Sequence, residues 1–152
     1  MSSVKAILLA EDSSQDVELT LAALQQHNVV NDVVVVRDGQ EVLDYLYLRG
    51  PFSDRAPGDP ALVLLDLKMP KMDGLEALAV IKADEELKTI PVVMLTSSRE
   101  EVDLLRSYQM GVNAYVVKPV EFQAFINAVR EIGAFWAVLN ETPSRSSFKK
   151  NP

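Results

Sequence analysis

The run Ala61-Leu62-Val63-Leu64-Leu65 ends in one carboxylate, Asp66, and a continuous apolar strand of this kind delivers an acid to the carboxyl end of a buried parallel sheet. Three further runs share the design. Ala6–Ala10 leads to Glu11 and Asp12, Pro91–Leu95 to Thr96, Ser97 and Ser98, and Ala114–Val117 to Lys118 and Pro119. Open α/β sheets bind ligands at this end, so three acids, a hydroxyl and a lysine are brought to one rim. An aspartate can attack phosphorus and become an acyl phosphate, provided cations offset the repulsion between two anions. Glu11, Asp12 and Asp66 offer the oxygen ligands that Mg²⁺ prefers. Lys118 supplies a further positive charge for a phosphoryl oxygen, and Thr96 Oγ1 a hydrogen bond. Without metal, clustered carboxylates repel one another and titrate as a coupled set, with some affinity for protons raised.

Such a rim requires strands that alternate with helices, and the sequence reads that way, as an α/β chain with a parallel sheet flanked by five helices. The first strand covers about 5 to 10 and the first helix about 15 to 26, with Val17, Leu21 and Leu24 on one face. Val33–Val36 is the second strand, Asp38-Gly39 a turn, and about 39 to 48 the second helix. Gly50 to Pro60, rich in Gly, Pro and Asp, reads as a long surface loop. The third strand ends at Asp66, and Met69–Gly74 turns the chain into a helix of about 74 to 83, with Asp73 as its cap. A fourth strand follows Ile90-Pro91, and a helix of about 99 to 109 ends at Gly111. In the fifth helix Phe122, Phe125, Ile126, Val129, Ile132 and Trp136 repeat at helical spacing.

Composition bounds the function. The 152 residues suit one domain with a full core, and 48% hydrophobic content with mixed charge marks a globular chain. No cysteine and a single histidine, His27, exclude disulfides, thiolate metal sites and cysteine nucleophiles, leaving a hard, oxygen-bound metal. His27 itself reads as a surface residue in a polar stretch. Fifteen basic against 22 acidic residues give a formal charge of −7, which repels a nucleic-acid backbone. No apolar run approaches a membrane span, and Met1–Lys5 leads straight into a strand without a signal peptide, so a cytoplasmic chain with no membrane partner is expected.

Together these residues resemble the receiver domain of two-component response regulators. The resemblance rests on Glu11-Asp12, on Leu64–Gly74, on Thr96, on Gly111–Tyr115 and on Lys118-Pro119, in that order along the chain. It implies a flavodoxin-like doubly wound sheet of order 2-1-3-4-5 over about 4 to 140, with 141 to 152 a short polar tail and no effector domain. It also implies that Asp66 is the phosphoacceptor, and that Mg²⁺ is held by Glu11, Asp12, Asp66 and the backbone carbonyl of Lys68. Thr96 and Tyr115 occupy the switch positions, Lys118 binds the phosphoryl group, and Pro119 implies a cis peptide after it. Lys68 and Ser98 stand where side chains reach over that group and tune hydrolysis, and Ser97 replaces the usual small residue. The implied donor is a sensor histidine kinase or a phosphotransfer protein, and the chain would signal by docking rather than act as an enzyme.

The long loop, the Phe135-Trp136 pair and the short tail are also similar to stand-alone regulators that partner phytochrome-type histidine kinases. A homodimer through the fourth helix, fifth strand and fifth helix follows from that likeness, with Phe135, Trp136 and Leu139 at the interface. Other readings remain open at this stage. Taken alone, Glu11-Asp12 also reads as a helix cap and first-turn acid. A phosphate-independent interaction module is one functional alternative. A haloacid-dehalogenase-like phosphatase is another, although it would require an acid where Lys68 stands.

Overall fold

The computed structural model describes residues 5–26, 29, 31–98, 100–101 and 114–133. Its five strands are β1 (Ile7–Ala10), β2 (Val33–Val36), β3 (Leu62–Asp66), β4 (Val92–Thr96) and β5 (Tyr115–Val117). All pair in parallel, in the order β2-β1-β3-β4-β5, as the resemblance implied. Four α-helices lie among the described residues: α1 (Ser14–Gln25), α2 (Gly39–Leu46), α3 (Gly74–Ala83) and α4 (Phe122–Glu131). The last is the fifth helix of the sequence reading. Of the expected 99–109 helix only Glu100 and Glu101 are described, and both are helical. His27, Gly111, Phe135, Trp136, Leu139 and the 141–152 tail lie outside the described residues.

Every residue of β3 is buried, which explains its lack of polar alternation, since both faces of the strand meet a core. Side chains leave successive β positions on opposite faces. Val63 and Leu65 join Leu8, Ala10 and Met94 in a core capped by α2 and α3. Leu62 and Leu64 join Ile7, Leu9, Val93 and Val116 in a second core capped by α1 and α4. Shortening a fully buried residue such as Leu64 to Ala would cost about 2–5 kcal/mol, because the cavity cannot collapse between fixed strands. Counting on by twos, Glu11, Asp66 and Lys118 belong to the α1/α4 face, whereas Thr96 aligns with Met94 and Tyr115 on the α2/α3 face.

The helices begin where polar caps occur. Ser13 caps α1 by accepting from Asp16 N at 3.2 Å, which removes Glu11 and Asp12 from that role. Asp38 caps α2, and Asp73 forms a reciprocal capping box with Glu76 at α3, as expected for Asp73. The second helix is two residues shorter than its periodicity suggested. Leu48 and Gly50 take left-handed backbone angles (φ 56° and 55°) that an α-helix does not contain.

The segment from Gly50 to Pro60 is more structured than a surface loop. Gly50–Phe52 forms a 3-10 turn, and the Phe52 ring meets Tyr45 edge-on at 5.2 Å. The Arg55 guanidinium lies over the Tyr45 ring, 3.9 Å from its centroid, and donates to the carbonyls of Tyr45, Ala56 and Gly58. Composition identified the turn residues but carries no signal for this stacking.

Candidate functional site

Asp66 closes β3 in register with Leu95, one residue before Thr96, so the carboxylate and the hydroxyl stand at the ends of neighbouring strands. On the other side Ala10 pairs with Leu65, which brings Glu11 beside Asp66. Glu11 is fully buried, Asp66 and Thr96 are buried, and Asp12 is exposed at the mouth. One carboxylate oxygen from each of Glu11, Asp12 and Asp66 lies within 4.8 Å of the others.

Lys118 reaches this cluster from the end of β5, following which the Lys118–Pro119 peptide is cis, as expected. Its Nζ lies 3.0 Å from Glu11 Oε1, 3.0 Å from Asp16 Oδ2 and 3.4 Å from each oxygen of Asp66. Three carboxylates therefore surround one ammonium. Burial first, and then the charge of Glu11, push Asp66 up to about 7, while Lys118 pulls the other way. For Lys118, burial opposes the charge, but its hydrogen bonds to Asp16 and Glu11 outweigh it and hold the group above its ordinary value. The lysine stays charged at neutral pH.

Thr96 Oγ1 is buried with no hydrogen-bond partner among the described residues. A buried hydroxyl left in this state costs about 1–3 kcal/mol relative to a satisfied one, and an oxygen ligand arriving on Asp66 would supply the missing partner.

The donor set is all oxygen, carries several negative charges and is open at Asp12. It fits a hard divalent cation and offers nothing to a soft metal. The expected ligand set of Glu11, Asp12 and Asp66 is therefore brought together, and Lys68 is the second residue beyond the end of β3.

Two residues of the rim were not singled out from the sequence. Asp16, in the first turn of α1, holds Lys118. Glu101 accepts from Ser97 N at 2.8 Å and pairs with Lys68 Nζ at 3.1 Å. Burial works against the Glu101 charge, but the Ser97 amide and Lys68 prevail and keep its carboxyl below the ordinary value. Both follow a serine by three, in Ser13-x-x-Asp16 and Ser98-x-x-Glu101, a pattern that ordinarily marks a helix start. Only the backbone half of that motif forms here, with Asp16 N on Ser13 Oγ and Glu101 N on Ser98 Oγ. The two carboxylates turn to lysines instead.

The family pattern of the response regulator receiver domain matches residues 7–130. The chain belongs to that family. Receiver domains are signalling domains rather than enzymes in the ordinary sense, and they bind a divalent metal. Among solved structures, the bacteriophytochrome response regulator AtBRR is 58% identical with a TM-score of 0.88, covering 92% of this receiver and 100% of that chain. The response regulator Rcp1 of Synechocystis sp. is 39% identical over 132 residues, 87% of this chain and 88% of Rcp1. The Mn²⁺-bound structure of Rcp1 has a TM-score of 0.69 at 37% identity, covering 92% of this chain and 99% of that one. The phosphorylated cyanobacterial phytochrome response regulator RcpA is 42% identical, covers 88% of this receiver and 94% of its own chain, and has a TM-score of 0.69.

Proposed function

We propose that this receiver accepts a phosphoryl group on Asp66 from a histidine kinase or phosphotransfer protein, in a Mg²⁺-dependent reaction, and signals by phosphate-dependent docking. The observation that carries the reading is the Asp66 carboxylate, buried beside the Lys118 ammonium, with the Thr96 hydroxyl, which has no partner among the described residues, at the end of the neighbouring strand. An Asp66 oxygen attacks phosphorus, the phosphorus–nitrogen bond of the donor phosphohistidine breaks, and the imidazole leaves with its electron pair. Glu11, Asp12, Asp66 and the Lys68 carbonyl would hold Mg²⁺. When bound, it supplies positive charge that lowers the repulsion between acceptor and donor. Lys118 exchanges carboxylate partners for a phosphoryl oxygen, and Thr96 Oγ1 donates to another. Tyr115, on the same face as Thr96, then follows the hydroxyl, so the phosphoryl group biases a packing equilibrium. The likeness to AtBRR, Rcp1 and RcpA supports a donor of the phytochrome type.

Labelling with radioactive acetyl phosphate tests the chemistry. Uptake is expected with Mg²⁺ and is expected to be lost in chelator and in Asp12→Ala. Uptake that persists in excess chelator would contradict the metal assignment, and a wild type that takes no label under any condition would leave a phosphate-independent docking module.

The receiver is also proposed to form a homodimer through the face that includes β5, with Phe135, Trp136 and Leu139 contributing. Support comes from the position of β5 at the sheet edge and from Val117, which is 40% exposed there. Sedimentation at tens of micromolar is expected to show a dimer that Phe135→Ser weakens. A wild type that stays monomeric with and without beryllofluoride, a phosphoryl mimic, would rule this out.

A further inference from the structure

Glu101 joins two loops that flank the acceptor. One carboxylate oxygen takes the amide of Ser97, the residue after Thr96, and the other takes the ammonium of Lys68, two residues after Asp66. The Glu101 side chain is 11% exposed, whereas its Lys68 partner is 78% exposed, so a largely buried anion holds an exposed cation. The Glu101 backbone is itself anchored, because its N–H donates to Ser98 Oγ at 3.3 Å. Asp66 ends the strand paired with the one that leads to Ser97, and Lys68 follows it by two residues. A phosphoryl group on Asp66 brings nearly two negative charges and accepting oxygens to this place. It needs the kind of partners that Glu101 already occupies: a free backbone N–H and a positive side chain.

We propose that Glu101 is an internal competitor for the phosphoryl group, a positioning residue that holds Lys68 and the Ser97 amide in the unmodified receiver and must release them when Asp66 is phosphorylated. The inference rests on the phosphoacceptor reading of Asp66 and adds a residue to it. Because the attachment joins the turn after β3 to the helical turn at Glu100 and Glu101, its release frees that turn from the Asp66 loop. Part of the interaction energy of phosphorylation is thereby spent on moving this segment, and affinity for the phosphoryl group is lowered by the same amount.

The test is a double-mutant cycle of Glu101→Gln and Lys68→Gln, reading beryllofluoride affinity by isothermal titration in saturating Mg²⁺. Gln at 101 can still accept from the Ser97 amide, so the fold is kept while the hold on Lys68 is weakened, and thermal melts verify this. Glu101→Gln is expected to bind beryllofluoride about 5–10-fold more tightly than wild type, within the usual range of coupling between sites. In the Lys68→Gln background the same change is expected to have less than about a twofold effect, because the competition acts through the ammonium. A purely structural role for Glu101 predicts weaker binding in both backgrounds. Equal or weaker binding by Glu101→Gln, or a gain of the same size without Lys68, overturns the proposal. A wild type that binds no beryllofluoride overturns the phosphoacceptor reading, and this inference with it, so the two failures are distinguishable.

Discussion

Asp66→Asn is expected to abolish phosphoryl uptake while making the folded protein more stable at neutral pH. An amide oxygen has nearly the same shape as the carboxylate it replaces but is a poor nucleophile, so no acyl phosphate forms. The gain in stability follows from the charge cluster. The folded value of Asp66 lies near 7, well above that of an unfolded chain, so the native state binds this proton more tightly. Its contribution to stability is full below about pH 4, declines as the pH rises to about 7, and is flat above that. Asn does not titrate. Its advantage over Asp should therefore grow across that window and reach roughly 1–3 kcal/mol at about pH 8, in the absence of Mg²⁺. Urea unfolding of both proteins at several pH values measures this. A variant less stable than wild type at neutral pH would show that Lys118 needs Asp66 more than Asp66 is strained by Glu11.

Gly74→Ala is expected to have the largest effect of any single methyl addition in the described fold. A Cβ at this position would lie 2.2 Å from the carbonyl oxygen of Asp66 and 3.0 Å from Leu67 Cα, and neither is a flexible side chain that can move away. The Gly74 amide also donates to Leu67 O at 2.9 Å, which clamps the start of α3 against the end of β3. Relief requires β3 or the helix to shift, at a cost of about 3 kcal/mol. Phosphoryl uptake should fall too, because the backbone that moves is that of Asp66. Gly58→Ala is the control. Its surroundings are open, but its φ of +126° disfavours a side chain, and the loss there should be about 1 kcal/mol with uptake unchanged. Urea midpoints and acetyl-phosphate labelling of both variants check this, and a Gly74→Ala protein as stable as wild type would refute the close approach.

These two positions show what the sequence makes legible. Asp66 stands out because a strand buried on both faces has no reason to carry a charge, and its length and position place that charge at the rim. Thr96, Glu11 and Lys118 are found by the same logic, and the sheet order follows from their family resemblance rather than from any local pattern. Gly74 is recognisable as turn punctuation, but its reason is contact with β3, which is non-local. Asp16 and Glu101 are hidden for a different cause. Each occupies a Ser-x-x-acid pattern whose usual meaning is a helix cap, and only tertiary packing decides that the carboxylate leaves the cap for a lysine. The Gly50–Pro60 segment is similar: Gly and Pro give its turns away, whereas the stacking of Arg55 on Tyr45 depends on two elements meeting.

The alternation of side chains along the sheet gives the molecule two compartments. Glu11, Asp66 and Lys118 face the α1/α4 side, and Thr96 and Tyr115 face the α2/α3 side. The five strands thus act as a wall, with ionic chemistry on one side and a hydroxyl and an aromatic ring on the other, meeting only at the rim. Substitutions in one room can alter how readily charge is accepted without rearranging the furniture of the other. Under the proposed mechanism, donor preference and output surface can consequently drift apart over evolutionary time, with Thr96 as the doorway through which both must still communicate.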